Sequence, residues 1–255
     1  MLAVQRQQTI LELVRLNGAV KVVDLVREFG VSDITIRRDL ELLAERGLLA
    51  KVHGGATVIG AGSTDEPGFA AKSVQQEDEK LVIARRAAEM VFPGTAVALS
   101  AGTTTWTLAH QLVNTPGLTV VTNSVRIADV FQHGGRPDQT VVLTGGVRTP
   151  SDALVGPVAV AAIRLLNVDM LFLGVHGMTT RAGFTTPNMM EAETDRALVE
   201  AASSLVVLAD HTKWGTVGIS TIARLSEADV VISDGGLPET ARTALSEQAG
   251  ELVIV

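Results

Sequence analysis

The chain has 255 residues, 46% of them hydrophobic and 3% aromatic, with no tyrosine. That length admits one large domain or two smaller ones, and the core must rest on Val, Leu, Ile and Ala. The absence of cysteine excludes disulfides, thiolate catalysis and cysteine-based zinc sites, and a net charge of −7 taken alone argues against a nucleic-acid binder.

The distribution of charge changes that last point. Residues 1–58 carry eight Lys/Arg against seven Asp/Glu, and the remainder carries 13 against 21. The acidity belongs to the larger part and leaves the N-terminal part free of it. No apolar run approaches the ~20 residues of a membrane helix. The N-terminal MLAVQRQQTILELVRL lacks the unbroken apolar core and small-residue cleavage site of a signal peptide. A cytoplasmic protein without membrane contact is expected.

Three helical patterns open the chain. The first carries Ile10, Leu11 and Val14 and ends near Asn17-Gly18. The second spans 20–29, with Val22, Val23, Leu25, Val26 and Phe29 on one side and Gly30 as its stop. Ser32 then caps a third helix that runs to about Arg46, with Ile36, Leu40 and Leu43 at i, i+4 and i+7. The segment LLAKVHGGATVI predicts a β-hairpin, so residues 1–58 predict a winged helix-turn-helix. A helix inserted N-terminus first into a major groove needs polar side chains on its early turns. Ser32, Asp33, Thr35, Arg37 and Arg38 supply them, and Lys51 and His53 sit on the proposed wing. On charge alone, a solvated face in which Arg37 and Arg38 pair with Asp33, Asp39 or Glu41 is equally good.

The Gly- and Ser-rich stretch 59–75 predicts a linker. Beyond it, a helix over EDEKLVIARRAAEMV leads into alternating strands and helices. Strands are predicted at 95–100, 118–122, 139–144, 169–174, 204–209 and 229–233, and helices near 103–114, 124–132, 156–166, 191–202 and 238–248. Strands such as LTVVT are almost wholly apolar, as in a parallel sheet covered on both faces. The fold class expected for 76–255 is a Rossmann-like α/β domain.

In such a sheet the C-terminal strand ends share one edge, where ligands bind. The first strand runs into Ser100, Gly102, Thr103 and Thr104, a glycine turn opening a helix. No lysine follows as in a Walker loop, yet the turn suits a phosphate. Other strand ends offer Asn123, Gly145, Gly146, Arg148, Asp210 and Lys213. Arg148 and Lys213 can neutralise a phosphate, and Asp210, Glu191 and Asn123 can hold sugar hydroxyls. The five histidines are scattered, with no pair at i, i+4, and no G-x-S-x-G elbow is present, so neither a metal site nor a serine hydrolase is expected.

RQQTILELVRLNGAVKVVDLVREFGVSDITIRRDLELLAERGLLAKVHGGA resembles the DNA-binding domain of the DeoR family of bacterial transcription regulators. Val31–Leu40 and His53–Ala56 carry the likeness, and Lys51-Val52 stands where Arg-Thr or Arg-Val is usual. The segments EKLVIARRAAEMV, GTTTWTLAHQL, VVTNSVRIA, VVLTGGVR, LVGPVAVAAI, VDMLFLGVHGM and ADHTKWG resemble, in order, that family's sensor domain. The resemblance implies a fold like the sugar-phosphate isomerases and CoA-transferases. It implies double-stranded operator DNA as one partner, a phosphorylated sugar-like effector as the other, and a repressor rather than an enzyme. Carried over, the phosphate site is Gly102, Thr103 and Thr104, with Asn123, Gly145, Gly146 and Lys213 near the ligand. Two departures concern the ligand: Ser100 precedes the Ala-Gly-Thr-Thr where an aspartate is common, and Asp195-Arg196 stands where Lys-Arg is common. One reading head contacts too few base pairs for selectivity, so a homodimer or homotetramer assembled through 76–255 is expected. The rival is a sugar-phosphate isomerase-like enzyme fused to a DNA-binding head, with Glu191 or Asp210 as base.

Overall fold

The structure is a computed structural model that describes residues 3–17, 19–46, 48–52, 54–57 and 68–255. By contacts the chain divides into two compact units, Met1–Gly62 and Ser63–Val255.

The smaller unit holds α1 (Ala3–Asn17), β1 (Ala19–Lys21), α2 (Val22–Phe29), α3 (Asp33–Glu45), β2 (Ala50–Val52) and β3 (Gly55–Thr57). Its core is Ile10 and Val14 of α1, Leu25 of α2, Ile36, Leu40 and Leu43 of α3, and Leu49. Burying one such side chain contributes about 1.5–3 kcal/mol. Gly30 ends α2 in the left-handed conformation, at φ 63°, its amide donating to the Val26 carbonyl. Ser32 Oγ accepts from the Thr35 amide and caps α3. The second helix is shorter than its periodicity predicts. Residues 19–21 are instead a strand that pairs antiparallel with β3, making the hairpin a three-stranded wing in the order β1-β3-β2. Val23, read as an inward residue, is exposed, because at 3.6 residues per turn it falls beside the stripe formed by Val22, Leu25, Val26 and Phe29.

The larger unit opens with α4 (Phe69–Ser73) and α5 (Glu77–Ala88). Residues 69–73 fall inside the stretch that composition assigns to a linker, yet they form a helix whose Phe69 ring meets Trp106 edge to face at 5.7 Å. The main sheet has seven parallel strands: β4 (Ala96–Leu99), β5 (Thr119–Thr122), β6 (Thr140–Leu143), β9 (Met170–Gly174), β12 (Leu205–Leu208), β14 (Val230–Ser233) and β15 (Glu251–Ile254). Their order is β15-β14-β12-β9-β4-β5-β6. All six predicted strands are present. The added edge strand, ELVI at the C-terminus, opens on a glutamate and is half-exposed, so it does not signal a buried strand by composition.

Successive side chains on the inner strands enter opposite cores, as a period of two requires. Val97, Leu99, Phe172, Val206 and Leu208 pack with α5, α6 (Thr103–Leu112) and α7 (Val125–Gly134). Ala98, Leu171, Leu173 and Val207 pack with α8 (Pro157–Ile163), α9 (Met189–Ala201) and α10 (Glu239–Gln248). A hairpin, β7 (Val147–Arg148) with β8 (Leu154–Val155), follows β6. A small antiparallel sheet of β10 (Gly177–Thr179), β11 (Gly183–Thr186) and β13 (Ser220–Ala223) also departs from strict βα alternation.

The chain builds from β4 outward to β5 and β6, then crosses back to β9 and builds the other way. The direction reverses between β4 and β9. In an open parallel sheet that reversal opens a crevice at the carboxyl ends of the two strands.

Candidate functional site

The crevice is occupied by a cleft with about 680 Å³ of empty space, its open mouth included. Gly102, Thr103 and Thr104 line it from the end of β4, and Gly174 and His176 from the end of β9. Glu191 and Asp195 line it from α9, Lys213 from the 3-10 turn after β12, and Phe69 and Lys72 from α4.

Of the residues read as effector contacts, the cleft gathers Gly102, Thr103, Thr104, Glu191 and Lys213. Gly102 is the N-cap of α6 and has no side chain to close it, so the first-turn amides are left for a ligand. Lys213 Nζ lies 3.7 Å from Asp210 Oδ2. Asp210 itself is fully buried; its Oδ1 accepts from the Thr212 amide and hydroxyl, while Oδ2 has no hydrogen-bond partner among the described residues. It holds the turn and sets the lysine rather than facing a ligand.

The structure places the others elsewhere. Ser100 is fully buried, its Oγ accepting from the Gly174 amide at 3.0 Å, and so ties β4 to β9 behind the cleft. Asn123 is spent on the backbone: Oδ1 accepts from Ala101 N at 2.8 Å and Nδ2 donates to the Leu154 carbonyl. Gly145, Gly146 and Arg148 follow β6, two strands away from the crevice. Gly146 has φ 124°, and a Cβ there would lie 2.6 Å from the Val155 carbonyl, so glycine serves the close approach of β7 and β8. Arg148 is exposed and pairs with Asp152, which also holds Arg126.

Two lysines escape a reading based on strand ends. Lys72 lines the cleft from α4. Lys80, on α5, is buried, and its ammonium donates to the carbonyls of Lys72 and Gln75. Burial lowers its pKa from 10.5 to about 8, helped by the Lys213 charge and opposed by Asp210. A folded-state pKa below the unfolded one means that the unfolded chain binds more protons between about 8 and 10.5. Stability must therefore rise with pH across that window. Urea midpoints of the larger unit should climb from pH 8 to 10 relative to Lys80→Met. Parallel pH profiles for the two proteins would show that Lys80 does not titrate there.

Glu191 is fully engaged by hydroxyls. Oε1 accepts from Thr149 at 2.9 Å and from Ser151, and Oε2 accepts from Thr186 at 3.0 Å. Asp195, one turn on, is held above the usual carboxylate range by burial first and by the Glu191 charge second, with Arg196 opposing.

In the smaller unit, α3 presents an exposed face. Asp33 and Arg37 form an i,i+4 pair at 2.9 Å, so the solvated-pair alternative holds for Arg37. Arg38 is exposed and makes no ion pair among the described residues. Ile34, 78% exposed, is unusual for its size, and the polar emphasis of the sequence reading passes over it. Ser32 and Thr35 share a hydroxyl contact of 2.8 Å at the helix start. Asp39, by contrast, is buried against Arg6 at 2.6 Å, and Gln7 donates to it at 2.8 Å. Lys51 lies in β2, and His53 lies outside the described residues.

A winged helix-turn-helix joined to an α/β unit with a polar cleft at its topological switch point defines a class: DNA-binding transcriptional regulators. Comparison with known proteins agrees. Residues 6–61 match the DeoR-like helix-turn-helix domain, and 75–235 match the DeoR C terminal sensor domain. The chain is 37% identical to the HTH-type transcriptional regulator GlpR of Haloferax volcanii, over 100% of this chain and 98% of that protein. It is 32% identical to the glycerol-3-phosphate regulon repressor of Escherichia coli K12, over 95% of each. A ribose 5-phosphate isomerase from Methanocaldococcus jannaschii aligns over 55% of each chain at 17% identity and a TM-score of 0.41. The chain belongs to the DeoR family of transcriptional regulators. No described helix is long and apolar enough to cross a membrane.

Proposed function

We propose that this regulator is a repressor that grips operator DNA through α3 and releases it when a phosphorylated sugar-like metabolite enters the cleft. The observation that carries the second half is the meeting of Lys213, Lys72 and the uncapped start of α6 in one crevice. Uncapped amides and ammonium groups converge on an anion with little rearrangement. The names of relatives point the same way, since one of them represses a glycerol-3-phosphate regulon.

The two carboxylates read as candidate bases, Glu191 and Asp210, are both engaged within the protein. An isomerase needs a carboxylate free to act as base near the carbonyl carbons. Both oxygens of Glu191 already accept hydroxyl hydrogen bonds. Asp210 is buried beneath Lys213, and the hydroxyl of Ser100 is turned to a backbone amide.

On the DNA side, Arg38 supplies an exposed cation with no ion pair among the described residues, and Ile34 an apolar surface suited to a thymine methyl. Selecting duplexes from a random pool should yield paired half-sites. Arg38→Ala should weaken binding to the selected site by about 5- to 150-fold, the worth of a good base contact. Equal binding by the variant would remove α3 from the reading role.

Paired half-sites require paired heads. We place the contact between copies at β6, an edge strand with Val141 and Leu143 exposed. A bare apolar edge is a template for association. Leu143→Lys should shift the sedimenting species to monomer. An unchanged mass would move the interface elsewhere.

A further inference from the structure

The cleft is electrically divided. Its cationic part is Lys72 and Lys213, with Lys80 behind them. Its anionic part is α9, where Glu191 and Asp195 stand one helical turn apart and both line the cavity. Glu191 is satisfied by the hydroxyls of Thr149, Ser151 and Thr186. Asp195 is not. It is 8% exposed, lines the cavity, and has no hydrogen-bond partner among the described residues.

The charges that act most on Asp195 are Glu191, of like sign, and Arg196. The Arg196 guanidinium is directed to the Ser220 hydroxyl and the Thr221 carbonyl. A buried carboxyl without a partner, placed beside a carboxylate, is costly to the folded protein. The cost is offset if something that enters the cleft supplies the missing donor and charge.

We propose that the effector carries a protonated amine as well as its phosphate, that the amine seats against Asp195, and that Asp195 selects phosphorylated amino sugars over their hydroxyl and acid counterparts. The inference rests on reading the cleft as the effector site and narrows its ligand class. The ammonium donates to the Asp195 carboxylate and neutralises part of the Glu191 field, while the phosphate meets the lysines and the start of α6. A sugar-acid phosphate would bring a further negative charge to the wall that already holds Glu191. A plain sugar phosphate would leave the pair of carboxylates uncompensated.

The experiment is isothermal titration of the full chain with glucosamine 6-phosphate, galactosamine 6-phosphate, glucose 6-phosphate, N-acetylglucosamine 6-phosphate, 6-phosphogluconate and inorganic phosphate. At least one amino sugar phosphate should bind at least about tenfold more tightly than the hydroxyl, acetylated and acid compounds, the range expected of a charged hydrogen bond. Asp195→Asn should bring that preference within about twofold while the variant still binds inorganic phosphate. Equal binding of the hydroxyl or acid compound by the wild type overturns the proposal, as does a preference that survives in Asp195→Asn. Binding of inorganic phosphate with none of the sugars also overturns it. If inorganic phosphate fails to bind as well, the effector-site reading itself falls, and the proposal with it.

Discussion

Asp39→Ala should unfold the DNA-reading unit and leave the sensing unit folded. Asp39 sits inside the three-helix core at 4% exposure and binds Arg6 of α1 at 2.6 Å, with Gln7 donating to its second oxygen. Both partners of the ion pair are out of water. Removing the carboxylate strands the Arg6 guanidinium in an apolar setting, which typically costs about 3–5 kcal/mol. A unit of this size is stabilised by only a few kcal/mol, at roughly 0.05–0.15 kcal/mol per residue. The loss is therefore comparable to the whole. Calorimetry should show the transition of the smaller unit vanish and that of the larger unit persist. Operator binding should disappear, with phosphate binding retained. A variant that keeps both transitions would show that the pair stabilises nothing. The same pair explains why α1 docks where it does: it joins the first helix to the reading helix across 33 residues of chain.

Lys213→Gln should remove phosphate recognition without removing DNA binding. Lys213 lines the cleft and is three-quarters buried, with Asp210 beneath it. A hydrogen bond from a charged donor in such a site contributes about 1.5–3 kcal/mol, so affinity for a phosphorylated ligand should fall about 10- to 150-fold. Glutamine keeps a donor and most of the volume. Asp210 keeps its bonds to Thr212, so the turn survives. Titration with inorganic phosphate reads the loss directly, and the selected operator duplex should bind as it does to the wild type. Retained phosphate affinity would mean that Lys72 and the α6 amides hold the anion alone.

Much of this was legible in the sequence, for physical reasons that can be traced. The inner strands of the main sheet are buried on both faces, so their apolar runs mark them within a residue or two. The α3 boundary follows from Ser32 as cap and Glu45 before a turn. What escaped are elements without such signals. The strand β1 is three residues long and continuous with α2, so periodicity absorbs it into the helix. The short helix α4 hides in a composition that signals a linker.

The site was half legible. Residues at the ends of β4 and β12 reach the cleft because those strands flank or neighbour the reversal of direction. Asn123, Gly145, Gly146 and Arg148 were chosen for the same reason, but β5 and β6 lie outward of the reversal, where strand-end position alone cannot discriminate. Only strand order separates the two sets, and order is not written in local pattern. Lys72, Lys80 and Asp195 reach or support the cleft from helices, which a search of strand ends does not visit. Of these, only Asp195 left a trace, as the charge opposite to the one the family resemblance implies.

The most direct test is the operator affinity of the full chain, measured by fluorescence anisotropy at fixed salt with and without a saturating phosphorylated sugar that raises its melting temperature. Binding in the cleft and binding to DNA are reciprocally coupled if one releases the other, typically by about 1–3 kcal/mol. The account predicts that the ligand weakens operator binding about 5- to 150-fold, and that it has no effect on Lys213→Gln. An operator affinity unchanged by a ligand that demonstrably fills the cleft would contradict it.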